Sequence, residues 1–135
     1  MIKSEIHIKF EEYLDSIGGL ENGFYTDRPP IKKRYFFAVD DGWLPLVQEL
    51  IEKCIELGWN KQICQVKEKF GGLRFYINEA PNEIYDLIDE YEHKSYSICE
   101  VCGQKGELRK GGWYRTLCEL HDEENIEKNK LKNIN

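Results

Sequence analysis

The apolar positions of this chain recur at two periods, and the period changes several times along its length. Between residues 4 and 17, Ile6, Phe10, Tyr13, Leu14 and Ile17 follow one another at three- and four-residue steps, with Glu11, Glu12 and Asp15 elsewhere on the wheel. That pattern predicts an amphipathic helix, ended by Gly18-Gly19. The stretch ENGFYTDRPPIKK reads as a surface loop because of its turn residues and Pro-Pro pair, and RYFFAV reads as a strand. A second helix is expected after Asp41-Gly42, with Pro45 in its first turn, Gly58 as its stop, and Leu44, Val47, Leu50, Ile51, Cys54, Ile55 and Leu57 forming a broad apolar face. The period then drops to two. Gln62 to Lys69 and Leu73 to Asn78 flank Gly71-Gly72 as the arms of a hairpin, with Ile63, Gln65, Lys67 and Lys69 opposite Cys64, Val66, Glu68 and Phe70. On the returning arm Leu73, Phe75 and Ile77 share one face, and Arg74 and Tyr76 share the other. From about Asn82 to Tyr96 the helical period returns through Ile84, Leu87, Ile88 and Tyr91. The expected class is α+β, an α-β-α-β-β-α body over residues 1–98 with a metal-binding module over 99–135 packed on it as one compact unit.

The module is read from ligand spacing. Cys99-x2-Cys102 is followed, fifteen residues later, by Cys118-x2-His121. Two cysteines separated by two residues bind one ion from a tight turn, and Gly103 supplies the backbone freedom for it. Thr116-x-x-Glu119 matches a capping box, so Thr116 is expected to be the N-cap of a terminal helix that carries Cys118 and His121 on one face. Between the ligand pairs, ELRK and WYRT around Gly111-Gly112 predict a second short hairpin. Turn, hairpin and helix start make a treble-clef-like arrangement. A closed four-ligand shell leaves no position for a reactive water, so a structural Zn2+ is expected rather than a catalytic one. A thioredoxin-like role fits poorly, because there the cysteine pair opens a helix, whereas here it precedes a glycine turn.

Composition narrows the setting. The chain has 135 residues, 41% hydrophobic, 33% charged and 13% aromatic, enough for one folded body and an attached module. No apolar run approaches the roughly 20 residues that span a bilayer, and the N-terminus lacks a signal-peptide pattern, so a cytoplasmic location without membrane association is expected. Five cysteines in a reducing compartment favour metal binding or burial over disulfides. A net charge of −6 opposes nonspecific nucleic-acid binding. Two basic islands stand out against it: Arg28, Lys32, Lys33 and Arg34, and Lys61, Lys67, Lys69 and Arg74.

The segment KEKFGGLRFY combines cations, aromatics and a glycine turn, and Arg109, Trp113, Tyr114 and Arg115 repeat that chemistry on the second hairpin. The candidate ligand site is therefore Lys67, Arg74, Tyr76, Arg109, Trp113 and Arg115, with arginine forking onto phosphate and aromatics stacking on a base. A solvated hairpin face is the competing reading. At least two of Trp43, Trp59 and Trp113 are expected to be buried. His7 and His93 read as surface or core residues, and Cys54 and Cys64 as core. Glu68 and Glu79 raise a metal-dependent nuclease, but no third carboxylate falls into place from the sequence.

The strings QVKEKFGGLRFY, CEVCGQKG and GWYRTLCELH, with the earlier DGWLPLV, resemble a group of small phage- and prophage-type zinc-knuckle proteins of uncharacterised activity. The resemblance implies the same four ligands and a phage context, in which short accessory proteins often act by binding. Three binding roles follow as expectations: capture of an anionic, nucleotide-like defence signal; inhibition or modulation of a host protein; and nucleic-acid binding, which the charge does not favour. Nuclease activity ranks last.

Overall fold

The computed structural model describes residues 3–25, 27–33 and 37–134, the last three as backbone only. Helix α1 (Glu5–Ser16) begins at Ser4, whose hydroxyl accepts the His7 N–H at 3.0 Å. It buries Phe10 and Leu14, while Ile6, on the predicted face, stays at the surface. Two short strands follow, β1 (Glu21–Asn22) and β2 (Phe37–Ala38). The 3-10 turn Asp41–Trp43 then leads into α2 (Leu44–Glu56) with Pro45 in its first turn. Helix α2 is the spine of the body. It touches both α1 and α3, and Leu44, Leu46, Val47, Leu50, Ile51 and Cys54 are buried. Each such aliphatic side chain contributes about 1.5–3 kcal/mol on leaving water. Leu57, assigned to that face from its spacing, lies beyond the last turn and is exposed.

The long hairpin forms as expected, β3 (Gln62–Lys69) against β4 (Gly72–Ile77). Phe70 and Gly71 both take positive φ, 54° and 81°, to turn the chain. Its alternation is not uniform. A register shift between Ile63 and Gln65 puts both Ile63 and Val66 into the core, opposite Ile77 and Phe75, although strict alternation assigns them to opposite faces. Strands β1 and β2 both run parallel to β3, pairing Glu21 with Gln62 and Phe37 with Val66. Because β4 occupies one edge of β3, these two lie one after the other along the other edge.

The segment read as a surface loop thus contains a strand, β1. Of RYFFAV, residues 34–36 lie outside the described residues, and Phe37–Ala38 is strand as expected. Helix α3 (Asn82–Ser95) closes the body with Ile84 and Tyr91 buried. Trp43 and Trp59 are buried and Trp113 is exposed. Cys54 is fully buried, whereas Cys64 is only half-buried, so its assignment to the core does not hold.

The chain is a mixed helix-and-strand protein. Among the described residues no helix is long and apolar enough to cross a membrane. The C-terminal segment folds as β5 (Glu107–Arg109), β6 (Arg115–Leu117) and α4 (Glu119–Ile134). Hydrogen bonds at the junction and from β6 seat it on the body. The Gly42 N–H donates to Glu100 O at 3.0 Å, the Trp43 indole N–H to Ile98 O at 2.8 Å, and the Thr116 hydroxyl to Gly71 O at 2.6 Å. Glycine is required at the first. A Cβ on Gly42 would stand 2.2 Å from the Cys99 carbonyl oxygen.

Candidate metal centre

The two ligand pairs converge. A donor atom from each of Cys99, Cys102, Cys118 and His121 lies within 4.8 Å of the others, the one group of three or more His, Cys, Asp or Glu donors so placed among the described residues. Cys99 and Cys102 sit in the turn before β5. The Gly103 N–H closes that turn on Cys99 O at 2.9 Å, with Gly103 at φ 83°. Cys118 stands between β6 and α4, its carbonyl accepting the Asp122 N–H at 2.9 Å, and His121 occupies the first turn of the helix.

The expected capping box is not what places this pair. Thr116 lies in β6, opposite Leu108, and its hydroxyl is spent on Gly71 O. Cys118 holds the residue position just before the helix.

Three donor–donor distances are close to the edges of a tetrahedral site, and all the donors lie within 4.8 Å of one another. With metal–sulfur bonds near 2.3 Å and metal–nitrogen bonds near 2.05 Å, tetrahedral edges are about 3.8 Å between sulfurs and about 3.6 Å between sulfur and nitrogen. Cys102 and Cys118 Sγ are 3.8 Å apart, and His121 Nδ1 is 3.6 Å from Cys99 Sγ and 3.2 Å from Cys118 Sγ. His121 therefore points Nδ1 inward. Its Nε2 faces Glu124 at 3.9 Å, the kind of outer partner that orients a ligating imidazole.

Electrostatics agree. Burial raises the Cys99 thiol, but hydrogen bonds from the backbone N–H groups of Cys118, Cys102 and Val101 more than offset it and bring it down to about 7. Cys102 is pushed up, by burial and by the neighbouring thiols. A cation among the donors would offset the repulsion from neighbouring sulfurs that keeps the Cys102 thiol raised. The cluster can hold a metal ion.

The arrangement continues outward through Glu100, which sits between the two knuckle cysteines and is only 5% exposed. Burial raises its carboxyl, partly countered by the Arg115 guanidinium (Nε to Oε1, 2.7 Å) and the Thr116 N–H (3.2 Å). Arg115 also reaches Asn125 of α4 at 3.3 Å and Asp40 of the body at 3.5 Å. One side chain thus ties knuckle, helix and body together.

The six residues expected to bind an anion are not gathered into one cleft. Arg74 is paired with Lys67 across the long hairpin and donates to Glu92 at 2.9 Å and to the Tyr96 hydroxyl at 3.4 Å. Arg109 is paired with Arg115 across the short hairpin, donates to Leu117 O at 3.2 Å and faces Asp122 at 3.6 Å. All three arginines are engaged inside the fold. Lys67 makes no ion pair among the described residues, and Tyr76 and Trp113 are exposed, at 41% and 77%.

Two polar cavities flank the metal centre, of about 330 and 400 Å³. Arg115 and Asp40 line both, and neither is lined by Arg74, Arg109 or Trp113. Glu68 and Glu79 lie towards opposite ends of the long hairpin, and the Glu68 carboxylate accepts the Gly71 N–H at 2.7 Å. They do not form a shared cation site. His7 pairs with Glu11, and His93 contacts Asp89 O. Asp40, Gly42 and Glu100, which position the centre, carry no spacing signal in the sequence. Only the glycine before Trp43 hints at close backbone contact.

Compared with known proteins, the chain matches no family model, no curated protein and no solved structure.

Proposed function

We propose that the cluster holds one structural zinc ion, and that the chain is a non-enzymatic binding protein whose zinc-fixed hairpin docks a protein partner. The donor set of three thiols and one imidazole is a zinc set, and four protein ligands complete a tetrahedron without an open position. The observation that carries the docking reading is Trp113, 77% exposed in the turn of a hairpin whose base adjoins the metal donors and whose turn-side pair, Arg109 and Arg115, is tied into the fold. A large aromatic on a rigid support is the usual form of an interface anchor. Tyr114 beside it is exposed as well. The resemblance to phage-type proteins supplies the partner class, a host protein in the bacterial cytoplasm, and the net charge of −6 steers toward a basic one. Affinity capture from bacterial lysate with the intact chain and with Trp113→Ala tests it. A partner held by the first and lost by the second is expected, and identical captures would refute the reading.

A second reading, capture of a nucleotide-like anion, retains Lys67, Tyr76 and Trp113, the members of the proposed site that are still free to meet a ligand. Calorimetry against cyclic and linear nucleotides tests it. Heats unchanged in a Lys67→Ala, Tyr76→Ala variant would retire that site.

A further inference from the structure

The first basic island has no part in the metal centre, and its surroundings differ from those of the arginines discussed above. Among the described residues, no carboxylate lies within ion-pair distance of Arg28, Lys32 or Lys33, whereas Arg74, Arg109 and Arg115 are each paired with at least one. Three cations gather here against one acidic residue, Asp27, within residues 23–33 of a chain whose net charge is −6. They border a surface groove of about 480 Å³ that Asn22, Tyr25, Pro29 and Pro30 also line.

The groove is shaped rather than slack. Asn22, held in the sheet by β1, accepts the N–H groups of Phe24 and Tyr25 at 3.0 and 3.1 Å, fixing the chain where these two aromatics are displayed. Phe24 and Tyr25 are 65% and 57% exposed, with ring centres 6.5 Å apart. The Arg28 guanidinium lies 5.1 Å from the Tyr25 ring centre, so one face of that ring is already backed by a cation. Lys32 is braced against Gly19, since a Cβ there would meet its Cγ at 2.9 Å. The bridge between Leu20 and Ile31 closes the base of the segment.

We infer that this groove is a binding site for a phosphate-bearing ligand that also carries a flat aromatic base, with Arg28, Lys32 and Lys33 on the phosphates and Tyr25 stacked on the base. Exposed aromatics interleaved with uncompensated cations are the chemistry that recognises unpaired nucleotides. An acidic peptide would use the cations and leave the rings idle. The ligand is either a free nucleotide or a nucleotide within a single strand, and the site is independent of the Trp113 hairpin.

Fluorescence anisotropy with a labelled single-stranded oligonucleotide of about 12 residues, and calorimetry with mononucleotides, separate the two sources. With the metal-loaded protein, an Arg28→Ala, Lys33→Ala variant is expected to weaken binding at least tenfold and to flatten the salt dependence. Tyr25→Ala should weaken it several-fold, and Tyr25→Phe should restore it. Arg74→Ala, which leaves this groove untouched, should bind as the parent does. Binding of the oligonucleotide alone assigns a strand, and equal binding of a mononucleotide assigns the free ligand. Absence of binding to both at low salt, indifference to the Arg28 and Lys33 changes, or equal competition by polyglutamate would overturn the site.

Discussion

The two hairpins look alike in sequence, each a pair of short arms about a Gly-Gly step with cations and aromatics alternating, yet they are held by different forces. The long one, β3–β4, is fixed by Ile63, Val66, Leu73 and Phe75, which belong to the continuous apolar core under α1, α2 and α3. The short one, β5–β6, contributes no residue to that core. It adjoins the four metal donors and is held by Arg109, Arg115 and the Thr116 hydrogen bond to Gly71, while Gly42 and Trp43 bond the neighbouring Glu100 and Ile98. Hydrophobic burial sustains the first at any metal concentration. The second adds little apolar surface to the core, so on the zinc reading proposed above its order is conditional on the ion.

The contrast can be broken first at the seam. In Gly42→Ala the added methyl has no room against the Cys99 and Glu100 backbone, so the knuckle must shift off the body. A loss of about 3 kcal/mol or more is expected in denaturant unfolding, with β3–β4 amide shifts little changed and those of residues 99–118 displaced. Next comes the clasp. Arg115→Ala leaves the Glu100 carboxylate buried with only the Thr116 N–H, for a loss of about 2 kcal/mol at neutral pH. The sign with pH follows from the raised Glu100 carboxyl. Its stabilising state is the protonated one, so the penalty in the variant shrinks as pH falls through the Glu100 pKa and grows above it. Parallel unfolding curves at acid and neutral pH measure it.

A chemical probe sharpens the comparison at lower cost. Burial lifts the Cys54 thiol to about 12, so iodoacetamide at pH 8 should leave it unmodified in the folded chain with or without metal. Cys99, fully buried while the cluster is folded, should react once the ion is withdrawn and the segment opens, and stay protected before that. Modification of Cys54 at the rate of Cys99 after chelation would mean that the body had opened too. The smallest expected effect is on stability in Trp113→Ala. With the side chain 77% exposed the change should stay within about 0.5 kcal/mol, so that loss of partner binding there reports contact rather than folding.

How much of this was legible beforehand depended on how local each cause is. The four ligands could be read because each pair spans three residues and a turn or a helix start brings them together without help from distant chain. Helix α2 was readable because its apolar period is long enough to be unambiguous, and the long hairpin because Gly71-Gly72 marks its turn, although the faces of β3 were not legible through the register shift at Cys64. Strand β1 was not, since two residues carry no period and their pairing depends on where β3 lies. Thr116 was misassigned because the T-x-x-E spacing also fits a β-branched residue ending a strand, and the hydroxyl found Gly71 O across the fold.

The arginines were legible as cations but not as clasps. Their partners Glu92, Asp40 and Asp122 belong to other elements, and only the tertiary fold brings them within reach. The register shift at Cys64 likewise has no counterpart in the strand's alternation.

The central claim is that one ion, held by Cys99, Cys102, Cys118 and His121, orders a module that the body's core does not. Amide hydrogen exchange on the purified chain, with metal content measured before and after chelation, tests it most directly. The account predicts one zinc per chain, and on its removal a collapse of protection from Cys99 to Asp122 while β3, β4 and α2 remain protected. A metal-free chain with that segment still protected, or protection unchanged by chelation or by Cys118→Ser, would contradict it.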